Sequence, residues 1–206
     1  MRTGVREMVR TALLIGSVSL LTSGPTTFAQ NGPGRDGPAQ TPAGAQERDG
    51  QHGFDFDMGS WKIHLSRLEH PLAGSKKWIQ FDGTLHAHKI WDGLGNIEEA
   101  ELNSPSGAIK GLTVRLYNPQ THQWAIYWAN SKNGLIDPAP QFGEFKSGRG
   151  EFYGQDTFNG KSIYVRYLWT KTDTDTPHFE QSYSDDGGKT WEVNWVTDQT
   201  RVPDSH

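Results

Sequence analysis

From Phe54 onward, apolar and polar residues alternate at a spacing of two. "WKIHL" puts Trp61, Ile63 and Leu65 on one face, and "LTVRLY" sets Leu112, Val114 and Leu116 against Thr113, Arg115 and Tyr117. "WAIYW" sets Trp124, Ile126 and Trp128 against Ala125 and Tyr127. "IYVRYLW" sets Ile163, Val165, Tyr167 and Trp169 against Tyr164, Arg166 and Leu168. "WEVNWVT" sets Trp191, Val193 and Trp195 against Glu192 and Asn194. Period two marks half-buried antiparallel strands, and no long amphipathic helix pattern interrupts it.

Turn chemistry falls between these runs. "YNPQTHQW" holds a proline turn, "KSGRG" closes the run from Phe142 to Phe145, and Asn159-Gly160 is a strong hairpin signal. About ten strands are predicted, near 60–68, 76–91, 96–103, 110–117, 123–130, 141–146, 149–157, 161–171, 177–184 and 190–201. Sequential strands with hairpin links predict an all-β, antiparallel up-and-down barrel, because closure removes exposed strand edges. A two-sheet sandwich is the alternative.

The first 53 residues do not share the pattern. Residues 1–29 run from Arg2, Arg6 and Arg10 through the apolar "ALLIG…SLL" to the small residues Thr27 and Ala29. That order is the order of a secretory signal peptide, cut before Gln30. Residues 30–53 are rich in Gly, Pro, Ala and Gln and read as a disordered linker, too poor in apolar residues to offset the entropy of ordering. The barrel domain is then expected over 54–203. The 206-residue chain carries a formal charge of −4 and has no cysteine. Removing Arg2, Arg6, Arg10 and Glu7 with the signal makes the charge more negative by two. An acidic chain without a basic stripe argues against nucleic acid as partner. The expected location is secreted or periplasmic, with no membrane insertion after cleavage and no disulfide framework.

Ser184-Asp185-Asp186-Gly187-Gly188-Lys189-Thr190-Trp191 fits the Asp-box pattern Ser-x-Asp-x-Gly-x-Thr-Trp of sialidase propellers. A propeller needs repeated blades and boxes. One box without an internal repeat predicts a structural hairpin, in which the Asp186 carboxylate accepts turn N–H groups and the two glycines supply positive φ.

"FDFDMGSW", Phe54 to Trp61, resembles the start of a group of secreted bacterial domains of unknown function, which carry a Phe-Asp-Phe…Gly-x-Trp signature and are similar to lipocalin-like (calycin) barrels. The resemblance extends more loosely through "GLTVRLYNPQTHQW" and "SDDGGKTWEVNW". It implies that Trp61 of the first strand faces Arg201 late in the last strand, a structural pair closing the barrel. It also implies that the face shared with Trp61 points inward, so that Trp128, Tyr167, Trp169 and Trp195 line a cup for a flat, partly apolar ligand.

Four further residues are candidates for that ligand site. Arg115-x-Tyr117 is similar to the Arg-x-Tyr with which intracellular fatty-acid-binding barrels meet a carboxylate, and Arg115 and Arg166 are the anion anchors if the polar face points inward. His86 and His88 share one face and join the cup if Gly83 makes a bulge that shifts strand parity. A pair of histidines two apart is a weak metal signal, and no metal is expected. The last strand offers no histidine as an axial haem ligand, so no cofactor is expected either. The chain is therefore expected to bind a small, partly apolar molecule. The alternatives are a barrel enzyme using His86 or His88 as acid/base or metal ligand, and a protein-interaction module with a filled barrel.

Overall fold

The computed structural model describes residues 50–203. Its strands are β1 (Gly59–Leu68), β2 (Trp78–Ile90), β3 (Gly95–Ser104), β4 (Gly107–Asn118), β5 (Gln123–Asn130), β6 (Leu135–Ile136), β7 (Gln141–Lys146), β8 (Arg149–Phe158), β9 (Lys161–Thr170), β10 (His178–Ser184) and β11 (Glu192–Arg201). Each pairs antiparallel with its neighbour in sequence, except that β5 pairs with β7 and carries the two-residue β6 as a short extension. β11 returns to β1 and β4 joins β5, so the sheet closes into an up-and-down barrel of ten strands. All ten predicted runs correspond to ring strands; β6 has no counterpart among them. The proposed signal peptide and most of the proposed linker lie outside the described residues. The order begins no later than Gly50 rather than at Phe54, because the Gly50 carbonyl accepts the Trp124 indole N–H at 2.9 Å.

The ladders explain which faces turn inward. β1 runs in continuous register with β2, pairing Trp61 with Leu85 and Ile63 with Gly83. Gly83 is therefore not a bulge. A Cβ there would lie 1.9 Å from the Glu101 carbonyl oxygen, so glycine is what lets β2 and β3 approach this closely. The Asn159-Gly160 turn has φ of 50° and 77°, the paired positive values of a tight hairpin.

β4 corrects the expectation drawn from its apolar face. Thr113, Arg115 and Tyr117 are buried, whereas Leu112, Val114 and Leu116 are only half-buried. Alternation shows that two faces differ but not which one faces in. Here the polar set goes in because Thr113 and Arg115 find buried polar partners and Tyr117 packs against the buried Trp124. β11 holds a second correction. Gln181 pairs with Trp195 and Ser182 with Val193, leaving Asn194 as an extra residue in a bulge. The bulge breaks the common face expected for Trp191, Val193 and Trp195. Trp195 lies inside beside Trp128, while Trp191 stands under the Arg166 guanidinium and against Tyr153.

Two apolar clusters fill much of the barrel. One gathers Trp61, Ile63, Leu65, Phe81, Leu85, Ala87, Leu102 and Ile109. The other gathers Phe54, Tyr117, Trp124, Ile126, Phe152 and Trp169. Phe54 meets Phe145, Trp124 and Trp169 edge-on at ring separations of 4.8, 5.2 and 5.3 Å. Such edge-to-face contacts suit the aromatic quadrupole and add to area burial. This segment forms the closed floor of the barrel.

Candidate ligand cavity

The floor holds a buried charge cluster. A 3₁₀ turn, Asp55–Asp57, brings Asp57 inside, where it is fully buried. Arg115 Nη1 donates to Asp57 Oδ2 at 2.6 Å and to Asn96 Oδ1 at 3.1 Å. Its Nη2 donates to Glu98 Oε2. Thr113 Oγ1 donates to Glu98 Oε1 at 3.0 Å, and Gln199 Nε2 donates to Asp57 Oδ1 at 3.4 Å. The guanidinium also lies 4.4 Å from the centre of the Phe54 ring. Two carboxylates thus face one cation out of water. Burial pushes the Glu98 carboxyl up to about 7, the Arg115 cation opposing the rise and Asp57 adding to it. A neutral Glu98 leaves a balanced Arg115–Asp57 pair.

Above this floor the barrel is not filled. A cavity of about 530 Å³ remains. Glu98, Thr113 and Arg115 border it below, Ile126, Trp128, Tyr167, Trp169, Phe179 and Trp195 form walls, and Arg67, Glu69, Asp137, Asp156 and Phe158 stand toward the far end. Asp137 and Asp156 are exposed while the floor residues are buried, which places the opening at the carboxylate end. The opening adjoins the shortest ladder of the ring, since β5 and β7 pair only through Trp124, Ala125 and Ile126. The Trp128 indole occupies the space above Gly111, where a Cβ would lie 1.9 Å from the ring.

The structure brings Trp128, Tyr167, Trp169, Trp195 and Arg115 together around this one cavity. Arg115 is not the free anion anchor that Arg115-x-Tyr117 suggested, because both terminal nitrogens are already held by protein acceptors. Arg166 does not line the cavity. It points to the outer face, where it donates to Ser182 Oγ at 3.3 Å and covers Trp191 at 4.9 Å. Its partner strand position is Ser182. His86 and His88 are likewise outside, because β2 keeps its parity through Gly83. Their rings lie 6.0 Å apart, and His86 Nδ1 meets Ser60 Oγ at 3.1 Å. Among the described residues no group of three or more His, Asp or Glu is placed to hold a metal ion.

Arg201 covers Trp61 across the β1–β11 ladder, at 4.0 Å from the ring centre. Asp186 sits inside its hairpin: Oδ1 accepts from the backbone N–H of Lys189 and of Thr190, both at 3.0 Å, and from Ser184 Oγ at 2.8 Å. Oδ2 accepts from Thr190 Oγ1 at 2.7 Å. These bonds, led by those from Thr190, hold the carboxyl well below the ordinary aspartate range.

Sequence reasoning missed Glu98, Asp57, Asp137 and Asp156. A signal existed for Glu98. Counting back from the short Ser104–Gly107 turn pairs Glu98 with Thr113 and Asn96 with Arg115. No local signal marks Asp137 or Asp156 as cavity residues; Asp137 precedes β7 and Asp156 lies near the end of β8, the two arms of one hairpin.

The fold is thus a closed, antiparallel up-and-down barrel with an interior cavity. No family model matches the chain, and no curated protein matches it. Among solved structures it is similar to the S-type phycobiliprotein lyase CPES from Guillardia theta, with a TM-score of 0.49 and 13% identity. That similarity covers 75% of this chain and 93% of the lyase chain.

Proposed function

We propose that the protein is a secreted or periplasmic lipocalin-like carrier that holds one small, partly apolar molecule inside its barrel. The cavity carries this reading. Its volume, about 530 Å³, lies within the roughly 300–1,000 Å³ of small-molecule sites. Its walls combine aromatic and aliphatic side chains with a comparable share of polar and charged ones, so an apolar body finds packing and a polar group on it finds partners that fix its orientation. The interaction-module alternative called for a filled barrel, and the enzyme alternative relied on His86 and His88, which stand outside. The export part of the proposal rests on the charged, apolar and small-residue order of residues 1–29.

The test is titration of the purified protein with N-phenyl-1-naphthylamine, a neutral apolar fluorophore, following both probe emission and tryptophan quenching. Saturable binding of one probe per chain is expected. Binding that is non-saturable, or saturable without tryptophan quenching, would remove the cavity as the site. Mass analysis of the exported protein is expected to find Gln30 at its N-terminus.

A further inference from the structure

Resting on the reading of the cavity as a ligand site, we propose that its ligand is an organic cation, an apolar body bearing an amine or quaternary ammonium group seated at the mouth between Asp137 and Asp156. Both carboxylates border the same cavity end. Burial, and after it the charge of Asp156, raises the Asp137 carboxyl above the ordinary range, so the two acids repel each other at this end. Among the described residues neither forms an ion pair. Glu69, the other acid at this end, is already engaged by Lys77 at 3.0 Å.

Two phenols face the same place. Asp137 and Asp156 both act electrostatically on Tyr167 and Tyr183, raising their hydroxyls beyond what burial does. Tyr167 borders the cavity, and its hydroxyl has no hydrogen-bond partner among the described residues. Aromatic faces attract cations through their quadrupole, and quaternary ammonium groups are recognised by such walls. A cationic head therefore meets two carboxylates without an ion partner among the described residues, Asp156 accepting only the Thr157 N–H at 2.6 Å, and two rings, while its apolar body takes the walls below.

An anionic head has no comparable place. At the floor Arg115 offers only Nε, a buried donor without a partner, beside the resident carboxylates Asp57 and Glu98. At the mouth the cation among the described lining residues is Arg67, whose guanidinium lies 5.2 Å from the centre of the Phe81 ring. A carboxylate at either place would share the cavity with the Asp137 and Asp156 carboxylates.

Three probes of one chain length test this on the full protein: decyltrimethylammonium, decanol and decanoate, each below its micelle concentration, competing with N-phenyl-1-naphthylamine. The ammonium is expected to bind about tenfold or more tighter than decanoate and several-fold tighter than decanol. The ammonium-to-decanol ratio is expected to fall toward one in the double variant Asp137→Asn, Asp156→Asn, and in the native protein as sodium chloride is raised, since the contacts are near the surface. Decanol titrated into the variant reports whether its cavity is intact; the salt series needs no variant. Decanoate binding as tightly as the ammonium overturns the proposal, as does an ammonium preference that neither the variant nor salt reduces. If none of the three binds, the cavity itself fails as a ligand site and the proposal falls with it.

Discussion

The guanidinium of Arg201 lies 4.0 Å from the centre of the Trp61 ring, and its two terminal nitrogens donate to the carbonyls of Met58 and Phe56 at 2.9 and 2.7 Å. One side chain thus ties the last strand to the indole of the first and to the segment that enters the floor. Trp61 is fully buried, and its indole N–H donates to the Asp57 carbonyl at 2.8 Å. An Arg over an indole face contributes about 0.5–2 kcal/mol. Arg201→Ala is expected to lower the melting temperature while leaving the far-ultraviolet spectrum of the folded protein unchanged. Arg201→Lys is expected to recover only part of the loss, since an ammonium lacks the fork that reaches both carbonyls. Equal stability of the alanine variant and the native protein in thermal melts would dismiss the closure.

Glu98 gives the fold a pH dependence. Its carboxyl stands at about 7 in the folded protein against an ordinary 4.5. A raised carboxyl binds its proton more tightly folded than unfolded, so its contribution is fully present below about pH 4.5 and is lost as pH rises through about 7. Glu98→Gln mimics the protonated form and still leaves Arg115 paired with Asp57. The variant is expected to gain stability over the native protein as pH goes from 5 to 8, by up to about 2–3 kcal/mol. His64 and His178 are also raised, by carboxylate partners and against burial, and lose stabilisation in the same direction. The decisive quantity is therefore the difference between the two proteins in chemical denaturation at each pH. A difference that is flat from pH 5 to 8 would show that Glu98 titrates as an ordinary carboxylate.

Strand positions and the Asp-box hairpin were legible because each depends on neighbours in sequence or on a simple count of two, whereas the Trp61–Arg201 closure was legible only through the resemblance to calycin barrels. The interior was only half legible. On β5 and β9 the apolar face is the inner one, so Trp128, Tyr167 and Trp169 follow from alternation. On β4 the rule reverses, because Arg115 is held by Asp57, which is distant in sequence, and by Glu98 across the hairpin. The direction of Trp195 depends on a bulge at Asn194 that no turn residue announces. His86 and His88 depended on the opposite event, a bulge at Gly83 that the continuous β1–β2 register does not contain.

The Asp186 hairpin should behave as a structural clamp. Its carboxylate gathers two backbone donors and two hydroxyls, and Gly187 and Gly188 take φ of 80° and 84°. Asp186→Ala removes the acceptor these donors share and is expected to lower stability. Because the native carboxyl is held below its ordinary 3.8, the stabilisation it brings is present above that pH and lost as pH falls below it. The native and alanine proteins should therefore converge in stability in acid. Ligand binding by stably folded Asp186→Ala is expected to match that of the native protein. Loss of binding without loss of stability would instead place the hairpin in the site.

Trp128 offers the sharpest test of the cavity wall. Its ring stands over Gly111 and 6.3 Å from Trp195, and it borders the cavity directly. Trp128→Ala removes a large apolar face from the wall and is expected to weaken N-phenyl-1-naphthylamine binding about tenfold, near 1.4 kcal/mol. His88→Ala, on the outer face of the barrel, is expected to leave that binding unchanged. Gly111→Ala approaches the same wall from behind. Its new methyl would lie within 1.9 Å of the indole, so the ring must swing away or the strand must shift. A swing into the cavity narrows it, and Gly111→Ala should then bind the probe less tightly while keeping all of its tryptophans. Isothermal titration of the three variants separates these outcomes. If His88→Ala loses as much affinity as Trp128→Ala, or if Trp128→Ala and Gly111→Ala both bind as the native protein does, the ligand sits elsewhere than in this cavity.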